Sequence, residues 1–231
     1  MVSQKTTTTI ITHYFNMILL FDAANTLIHK PLVFKKMIDV FAKQNYIVDY
    51  NVLIYHHKLI SELIIFPDVT SKEFYKDFNA ELLYSLGIIP TLELLTLLHQ
   101  ECSYMPWEKF DDASALNEIK IPKYVLSNFN TSLNTIIEQL YPNVFEKIIS
   151  SEEQGLRKPN EEFYLRAIEL LNIKNANEIL YVGDSLKLDI EPANTVGMNA
   201  ILLDRMGYYS TYKKRVRSLN ELITTYNDLI K

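Results

Sequence analysis

The sequence predicts an α/β protein: a parallel sheet with helices on both faces, interrupted by a second, helical unit. From residue 119 onward, short apolar runs alternate with amphipathic helical segments, which is typical of parallel strands joined by crossover helices. Between that region and a first apolar run at residues 17–21 lies a long stretch whose apolar residues recur at helical spacing. The expected division is residues 17–30 and 111–231 for the sheet unit and 31–110 for the helical unit.

The first predicted strand, residues 17–21, is an apolar run that ends at a single carboxylate, Asp22. An unbroken apolar run is typical of a strand that is buried on both faces. Because ligands bind beyond the carboxyl ends of strands in open α/β sheets, Asp22 is a candidate site residue. Ala23, Ala24 and Asn25 follow, and Asn tolerates left-handed backbone, so a tight turn is expected here.

The inserted stretch is predicted to form four amphipathic helices, separated by turn-forming residues at 49–51, 67–68 and 87–90. Their apolar faces are predicted to consist of Val33, Met37, Val40 and Phe41; Leu53, His56, Ile60, Leu63 and Ile64; Phe74, Phe78, Leu82 and Leu86; and Leu92, Leu95, Leu98 and His99.

The rest of the chain alternates strand and helix. Further strands are predicted at residues 124–126, 147–151, 179–182 and 200–203, and helices at 131–140, 160–171, about 186–196 and 219–230. Polar residues follow the strands or begin the helices, and these are Ser127, Asn128, Lys158, Asp184 and Asp189. Because the carboxyl ends of parallel strands share one edge, we expect them to gather around Asp22.

This set of residues suits phosphoryl chemistry. A carboxylate can act as a nucleophile and form an aspartyl-phosphate, which divides one difficult displacement into two easier ones. A hydroxyl, an amide and a lysine can surround the phosphoryl group. The carboxylates of Asp22, Asp184 and Asp189 would repel one another without a cation, and Mg²⁺ binds few carboxylates together with phosphate oxygens.

Here the chain resembles the haloacid dehalogenase-like hydrolase superfamily over about residues 17–204. The matching stretches are Leu20-Phe21-Asp22-x-x-x-Thr26-Leu27, Val125-Leu126-Ser127-Asn128, Gly155-Leu156-Arg157-Lys158-Pro159 and Val182-Gly183-Asp184-Ser185-x-x-x-Asp189. The resemblance implies a Rossmann-like core with a four-helix cap inserted after the first strand.

The resemblance also implies roles for individual residues. Asp22 would be the nucleophile and a metal ligand, and Asp184 and Asp189 would hold Mg²⁺ together with the backbone carbonyl of Ala24. Ser127 and Lys158 would be catalytic and bind the phosphate. Thr26 and Asn128 would bind the phosphate as well.

One departure stands out: Ala24 replaces the second Asp that family phosphatases use as the general acid and base. Proton transfer of that kind is worth about 10²–10⁴-fold in rate. We therefore expect a weak or specialised phosphohydrolase acting on a small phosphorylated metabolite. Its leaving group would need no proton, or His29, His56 or His57 of the cap would supply one.

Three alternatives stay open. Metal-free 2-haloacid dehalogenases also lack the second Asp and carry a tyrosine where this chain has Tyr164, but they have Ser and Asn where it has Gly183 and Asp184. Phosphonatase-type hydrolases have Ala at this position but need a Schiff-base lysine, for which Lys58 is the candidate. The last alternative is a binding protein on an inactive hydrolase fold.

Composition limits the remaining possibilities. A net charge of −5 gives no reason to expect nucleic acid or an anionic membrane as a partner, and no apolar run reaches the about 18 residues of a membrane span. The single cysteine fits a reducing cytoplasm, where we expect the protein to reside. Residues 1–16 lack the features of a secretory signal and are expected to form a disordered extension.

Overall fold

The computed structural model describes residues 17–229, so the expectation for residues 1–16 lies outside the described residues. Within that range the chain forms two compact units. The first comprises the residues up to Ile28 together with those from Lys109 onward, and the second comprises His29–Glu108. None of the described helices combines the length and the apolar character needed to cross a membrane.

The first unit is built on a parallel sheet in the strand order β5-β4-β1-β6-β7-β8. Its strands are β1 (Ile18–Phe21), β4 (Lys123–Ser127), β5 (Lys147–Ser150), β6 (Ile179–Gly183), β7 (Asn199–Leu203) and β8 (Arg215–Val216). Its α-helices are α5 (Ser132–Leu140), α6 (Ser151–Gln154), α7 (Glu161–Leu170), α8 (Glu191–Thr195) and α9 (Leu219–Leu229). The predicted parallel α/β fold is confirmed.

The central strand β1 is buried along its whole length, as its apolar sequence predicts. On one face, Leu20 packs in a cluster with Tyr181 of β6 and with Phe163 of α7. On the other face, Phe21 meets Phe145 edge-on, with the ring centroids 6.0 Å apart. Because β1 is the third of the six strands, the polar residue that follows it lies near the middle of the edge formed by the carboxyl ends of the strands.

The sixth strand, β8, was not predicted. It has only two residues, too few to show a periodic pattern. It is held by backbone hydrogen bonds from Leu202 N to Lys214 O (3.0 Å) and from Asp204 N to Val216 O (2.9 Å). An ion pair of 2.6 Å between Arg215 and the buried Asp204 fixes it further.

The second unit contains α1 (Pro31–Lys43), α2 (Tyr50–Leu63), α3 (Lys72–Ser85) and α4 (Leu92–Cys102). Side chains cap three of these helices, because Asp49, Ser71 and Thr91 each accept a hydrogen bond from a backbone N–H in the first turn. Two predicted core positions are wrong, because Leu63 and Leu92 are each 73% exposed at a helix end. The short strands β2 (Ile28–His29) and β3 (Glu108–Lys109) pair with each other.

Candidate active site

Asp22 lies at the carboxyl end of β1, between the ends of β4 and β6. Its backbone N–H donates to Val182 O at 2.9 Å, so the strand pairing continues to Asp22 itself. The chain then turns sharply, since the Ala23 carbonyl accepts hydrogen bonds from the N–H groups of residues 26–28. Asn25 has φ +63°, the left-handed conformation expected of it. The tight turn after β1 is confirmed.

Lys158 is the centre of the site. Its side chain is 2% exposed, and its ammonium donates to Asp22 Oδ1 at 2.5 Å and to Asp189 Oδ1 at 2.6 Å. A third hydrogen bond of 3.0 Å goes to the Tyr181 hydroxyl. An ammonium has three hydrogens, and each has an acceptor here, which is what allows a charged group to be buried.

Ser127 ends β4, Asn128 follows it, and the two side chains contact different partners. The Ser127 hydroxyl donates to Asp22 Oδ1 at 3.0 Å. The Asn128 amide instead forms a pair of hydrogen bonds with the backbone of Lys158: Nδ2 donates to the Lys158 carbonyl at 2.9 Å, and Oδ1 accepts from the Lys158 N–H at 2.8 Å. The nitrogen and the oxygen of the Asn128 side-chain amide therefore both fix the loop that carries Lys158. The sequence did not predict this contact.

Asp189 lies directly over Gly183, the last residue of β6. A Cβ atom on Gly183 would stand 2.3 Å from Asp189 Cγ and 2.5 Å from its Oδ2, closer than any real contact. Only glycine therefore leaves room for this carboxylate. The backbone N–H of Ser185 donates to Asp189 Oδ2 at 3.0 Å, and a single π-helical turn, Leu186–Ile190, carries the residue.

The side chains of Asp22, Asp184 and Asp189 converge, with one oxygen of each within 4.8 Å of the others. Every hydrogen bond that the described residues make to the Asp22 carboxylate uses Oδ1, which leaves Oδ2 for a ligand. Three carboxylates face one ammonium, so negative charge exceeds positive charge when all are ionised. This all-oxygen donor set with excess negative charge fits a hard divalent cation.

The charges at the site shift the pKa values of its members. Burial raises the pKa of the Asp22 carboxyl above its ordinary value, while the Lys158 ammonium opposes that rise. Burial alone would lower the pKa of Lys158, but the charges of Asp189 and Asp22 outweigh it, and the pKa is raised. Lys158 therefore stays positively charged at neutral pH.

Thr26 and Ala24 belong to the turn after β1, and their predicted roles stay predictions. Thr26 is fully buried, and its carbonyl accepts a hydrogen bond of 3.0 Å from Arg205 Nη2. Its hydroxyl has no hydrogen-bond partner among the described residues. The Ala24 side chain is a methyl group, so it offers no proton two residues after Asp22.

Two of the candidate groups in the second unit are already engaged there. His57 lies between Phe34 and Phe78, with both ring centroids 5.0 Å away, and burial lowers its pKa to about 4. It is neutral at pH 7, so it is not a general acid near neutrality. Lys58 is held in an ion pair with Glu62 at 2.6 Å. A Schiff base needs a free amine, so this contact does not favour the phosphonatase alternative.

Comparison with known proteins gives a family match and several related sequences. The sequence model of the haloacid dehalogenase-like hydrolases matches residues 17–197, which is most of the chain. A glyceraldehyde 3-phosphate phosphatase from Methanocaldococcus jannaschii is 36% identical over 94 residues, which are 38% of this chain and 40% of that protein. A ribulose-1,5-bisphosphate 5-phosphatase from Halopiger xanaduensis is 29% identical over 46% of this chain and 44% of its own length. The chain thus spans less than half the length of these relatives.

Solved structures match over nearly the whole chain, at identities that show the fold alone. The magnesium-bound HAD-hydrolase YfnB from Bacillus subtilis has a TM-score of 0.64 and 21% identity, covering 91% of this chain and 98% of that one. A 2-haloacid dehalogenase from Pseudomonas syringae has a TM-score of 0.54 and 16% identity, covering 92% and 98%. With the family match over residues 17–197, this chain belongs to the haloacid dehalogenase-like hydrolases.

Proposed function

We propose that the chain is a Mg²⁺-dependent phosphohydrolase that uses Asp22 as its nucleophile and acts on a small phosphorylated metabolite. The observation that carries the proposal is the ammonium of Lys158, which lies 2.5 Å from Asp22 and 2.6 Å from Asp189. It joins the candidate nucleophile to a group of carboxylates suited to a cation. The phosphatase names of the relatives support the same class of substrate.

In the first step, a carboxylate oxygen of Asp22 attacks phosphorus, and the bond from phosphorus to the leaving oxygen breaks. The Ser127 hydroxyl and Lys158 both bind Oδ1 of Asp22, which fixes the orientation of the attacking carboxylate. Lys158 also lies where it can offset the negative charge that gathers on the phosphoryl oxygens. Asp22, Asp184 and Asp189 would hold Mg²⁺, which supplies electrostatic stabilisation of the phosphoryl group.

In the second step, water attacks the phosphorus of the aspartyl-phosphate, and orthophosphate leaves while the carboxylate of Asp22 is restored. A general base normally takes the proton of this water. The methyl group of Ala24 cannot do so. The lack of a general acid and base at this position has two consequences. Leaving groups that need no proton, such as the carboxylate released from an acyl phosphate, are favoured in the first step. The aspartyl-phosphate should then accumulate, because its hydrolysis is slowed about 10²–10⁴-fold.

The test is a comparison of acetyl phosphate with p-nitrophenyl phosphate, in MgCl₂ and in EDTA. We expect Mg²⁺-dependent turnover of acetyl phosphate, abolished by Asp22→Asn. The Ala24→Asp variant should raise turnover of p-nitrophenyl phosphate, since it supplies a general base for hydrolysis of the aspartyl-phosphate. If neither phosphate is hydrolysed and 2-chloropropionate releases chloride without metal, the proposal is wrong and the dehalogenase alternative holds.

A further inference from the structure

Tyr181 belongs to the buried strand β6, yet its hydroxyl lies among the charged groups of the site. It is 3.0 Å from Lys158 Nζ and 2.9 Å from Asp189 Oδ1. The ammonium also lies over the ring, 5.7 Å from its centre, so the hydroxyl makes the shorter of the two contacts. Lys158, Asp189 and Tyr181 thus form a closed triangle of hydrogen bonds.

The direction of these bonds follows from the chemistry of the three groups. An ammonium only donates and a carboxylate only accepts, so the hydroxyl accepts from Lys158 and donates to Asp189. The backbone carbonyl of Leu126 is a possible acceptor too, but at 3.4 Å it is farther away and uncharged. Burial raises the pKa of Tyr181 well above its ordinary value, which keeps the hydroxyl protonated and able to donate.

The triangle accounts for the third hydrogen of the Lys158 ammonium. Asp22 and Asp189 each accept one hydrogen through Oδ1. Without Tyr181, the third hydrogen would have no acceptor among the described residues of this buried site, and the ammonium would shift toward another one. The Tyr181 hydroxyl accepts that hydrogen, and its own position is fixed because the ring packs against Tyr164, with the centroids 5.5 Å apart.

We propose that Tyr181 is a positioning residue, whose hydroxyl holds the Lys158 ammonium between Asp22 and Asp189. The effect of Tyr181 on catalysis rests on the proposed function, because it requires that Lys158 stabilises the transferring phosphoryl group. The positioning itself is a property of the folded protein and is measurable without any substrate.

The experiment compares Tyr181→Phe with Tyr141→Phe in the full chain. Tyr141 is a matched control, because it is 4% exposed and its hydroxyl donates to a backbone carbonyl, that of Leu27, at 2.6 Å. Each variant loses one buried hydroxyl and keeps its ring. Lysine methylation with formaldehyde and borane, followed by peptide mass spectrometry, gives the modification rate of Lys158 relative to that of Lys123, whose amine is held by backbone carbonyls.

We expect Tyr181→Phe to raise the relative rate at Lys158 about tenfold, as the loss of one hydrogen bond to a charged group implies. Tyr141→Phe should leave it within about twofold. With acetyl phosphate, Tyr181→Phe should lower the single-turnover rate of aspartyl-phosphate formation about tenfold and leave the half-saturating substrate concentration of that step within about twofold, because the charge remains but its placement in the transition state is lost.

An unchanged Lys158 rate in Tyr181→Phe, or an equal rise in Tyr141→Phe, overturns the positioning role. A raised modification rate with an unchanged rate of aspartyl-phosphate formation overturns its link to catalysis. If the wild-type protein turns over neither phosphate, the proposed function fails, and the modification rates still decide whether Tyr181 holds Lys158.

Discussion

Gly183→Ala tests whether the end of β6 is shaped to admit the Asp189 carboxylate. The added Cβ would lie 2.3 Å from Asp189 Cγ, whereas ordinary van der Waals contact begins at 3.4 Å. The side chain must therefore shift by about 1.1 Å (3.4 − 2.3). A shift of that size directed away from Lys158 lengthens the 2.6 Å contact to about 3.7 Å, beyond hydrogen-bond distance.

The expected loss of unfolding free energy combines overpacking with a lost hydrogen bond to a charged group, together about 3 kcal/mol. Urea unfolding measures it as a lower midpoint with an unchanged slope. Asp189→Gly provides the control background, since it removes the three atoms nearest to the new methyl group. In the Asp189→Gly background, Gly183→Ala should lower the unfolding free energy by about 1 kcal/mol or less. An equal cost in both backgrounds, or a cost below about 1 kcal/mol in the wild-type background, would refute this explanation.

Three further predictions concern charge. Lys158→Met leaves the carboxylates of Asp22 and Asp189 without a buried counter-charge and should lower the unfolding free energy by about 3–5 kcal/mol, measured in urea without Mg²⁺. Lys58→Met breaks a partly exposed ion pair and should lower the unfolding free energy by about 1 kcal/mol or less. Similar losses for Lys158→Met and Lys58→Met would contradict the burial of the Lys158 ion pairs. MgCl₂ should restore part of the stability of Lys158→Met, and no effect of MgCl₂ would count against the cation site. Burial lowers the pKa of His57 from its ordinary 6.5 to about 4 in the folded protein, so the unfolded chain binds more protons between those two pH values, and stability falls as pH falls through this window. His57→Leu should reduce the loss of unfolding free energy between pH 7.5 and 4 by at most about 3 kcal/mol. A loss equal to that of the wild-type protein would refute the role of His57 in this pH dependence.

The sheet and the positions of the main polar residues were predictable because they follow from strand ends. Apolar runs identify β1 and β6, and parallel strands bring the residues after them to one edge, which predicts that Asp22 and Asp184 lie together. Lys158 lies in a loop, and its place just before a predicted helix, together with the family motif, indicates it as a site residue.

Other features could not be read from the sequence. Tyr181 stands in an apolar run, where a tyrosine indicates packing, and only the fold places its hydroxyl beside Lys158. The phosphate contact of Asn128 stays a prediction, and its amide makes an unpredicted contact with the Lys158 backbone, across 30 residues of chain. Helix periodicity also mistook Leu63 for a core residue, because it cannot tell which residues at a helix end lie beyond the packed core.

The central claim is that Asp22 accepts a phosphoryl group, and mass spectrometry of acid-quenched protein tests it most directly. After mixing with acetyl phosphate and MgCl₂, a phosphoryl group should be found on the peptide that carries Asp22, in near-stoichiometric amount because Ala24 provides no base for its hydrolysis. Ala24→Asp should lower that amount, and Asp22→Asn should abolish it. Turnover of acetyl phosphate that continues in Asp22→Asn, or turnover with the phosphoryl group on another residue, would contradict the account.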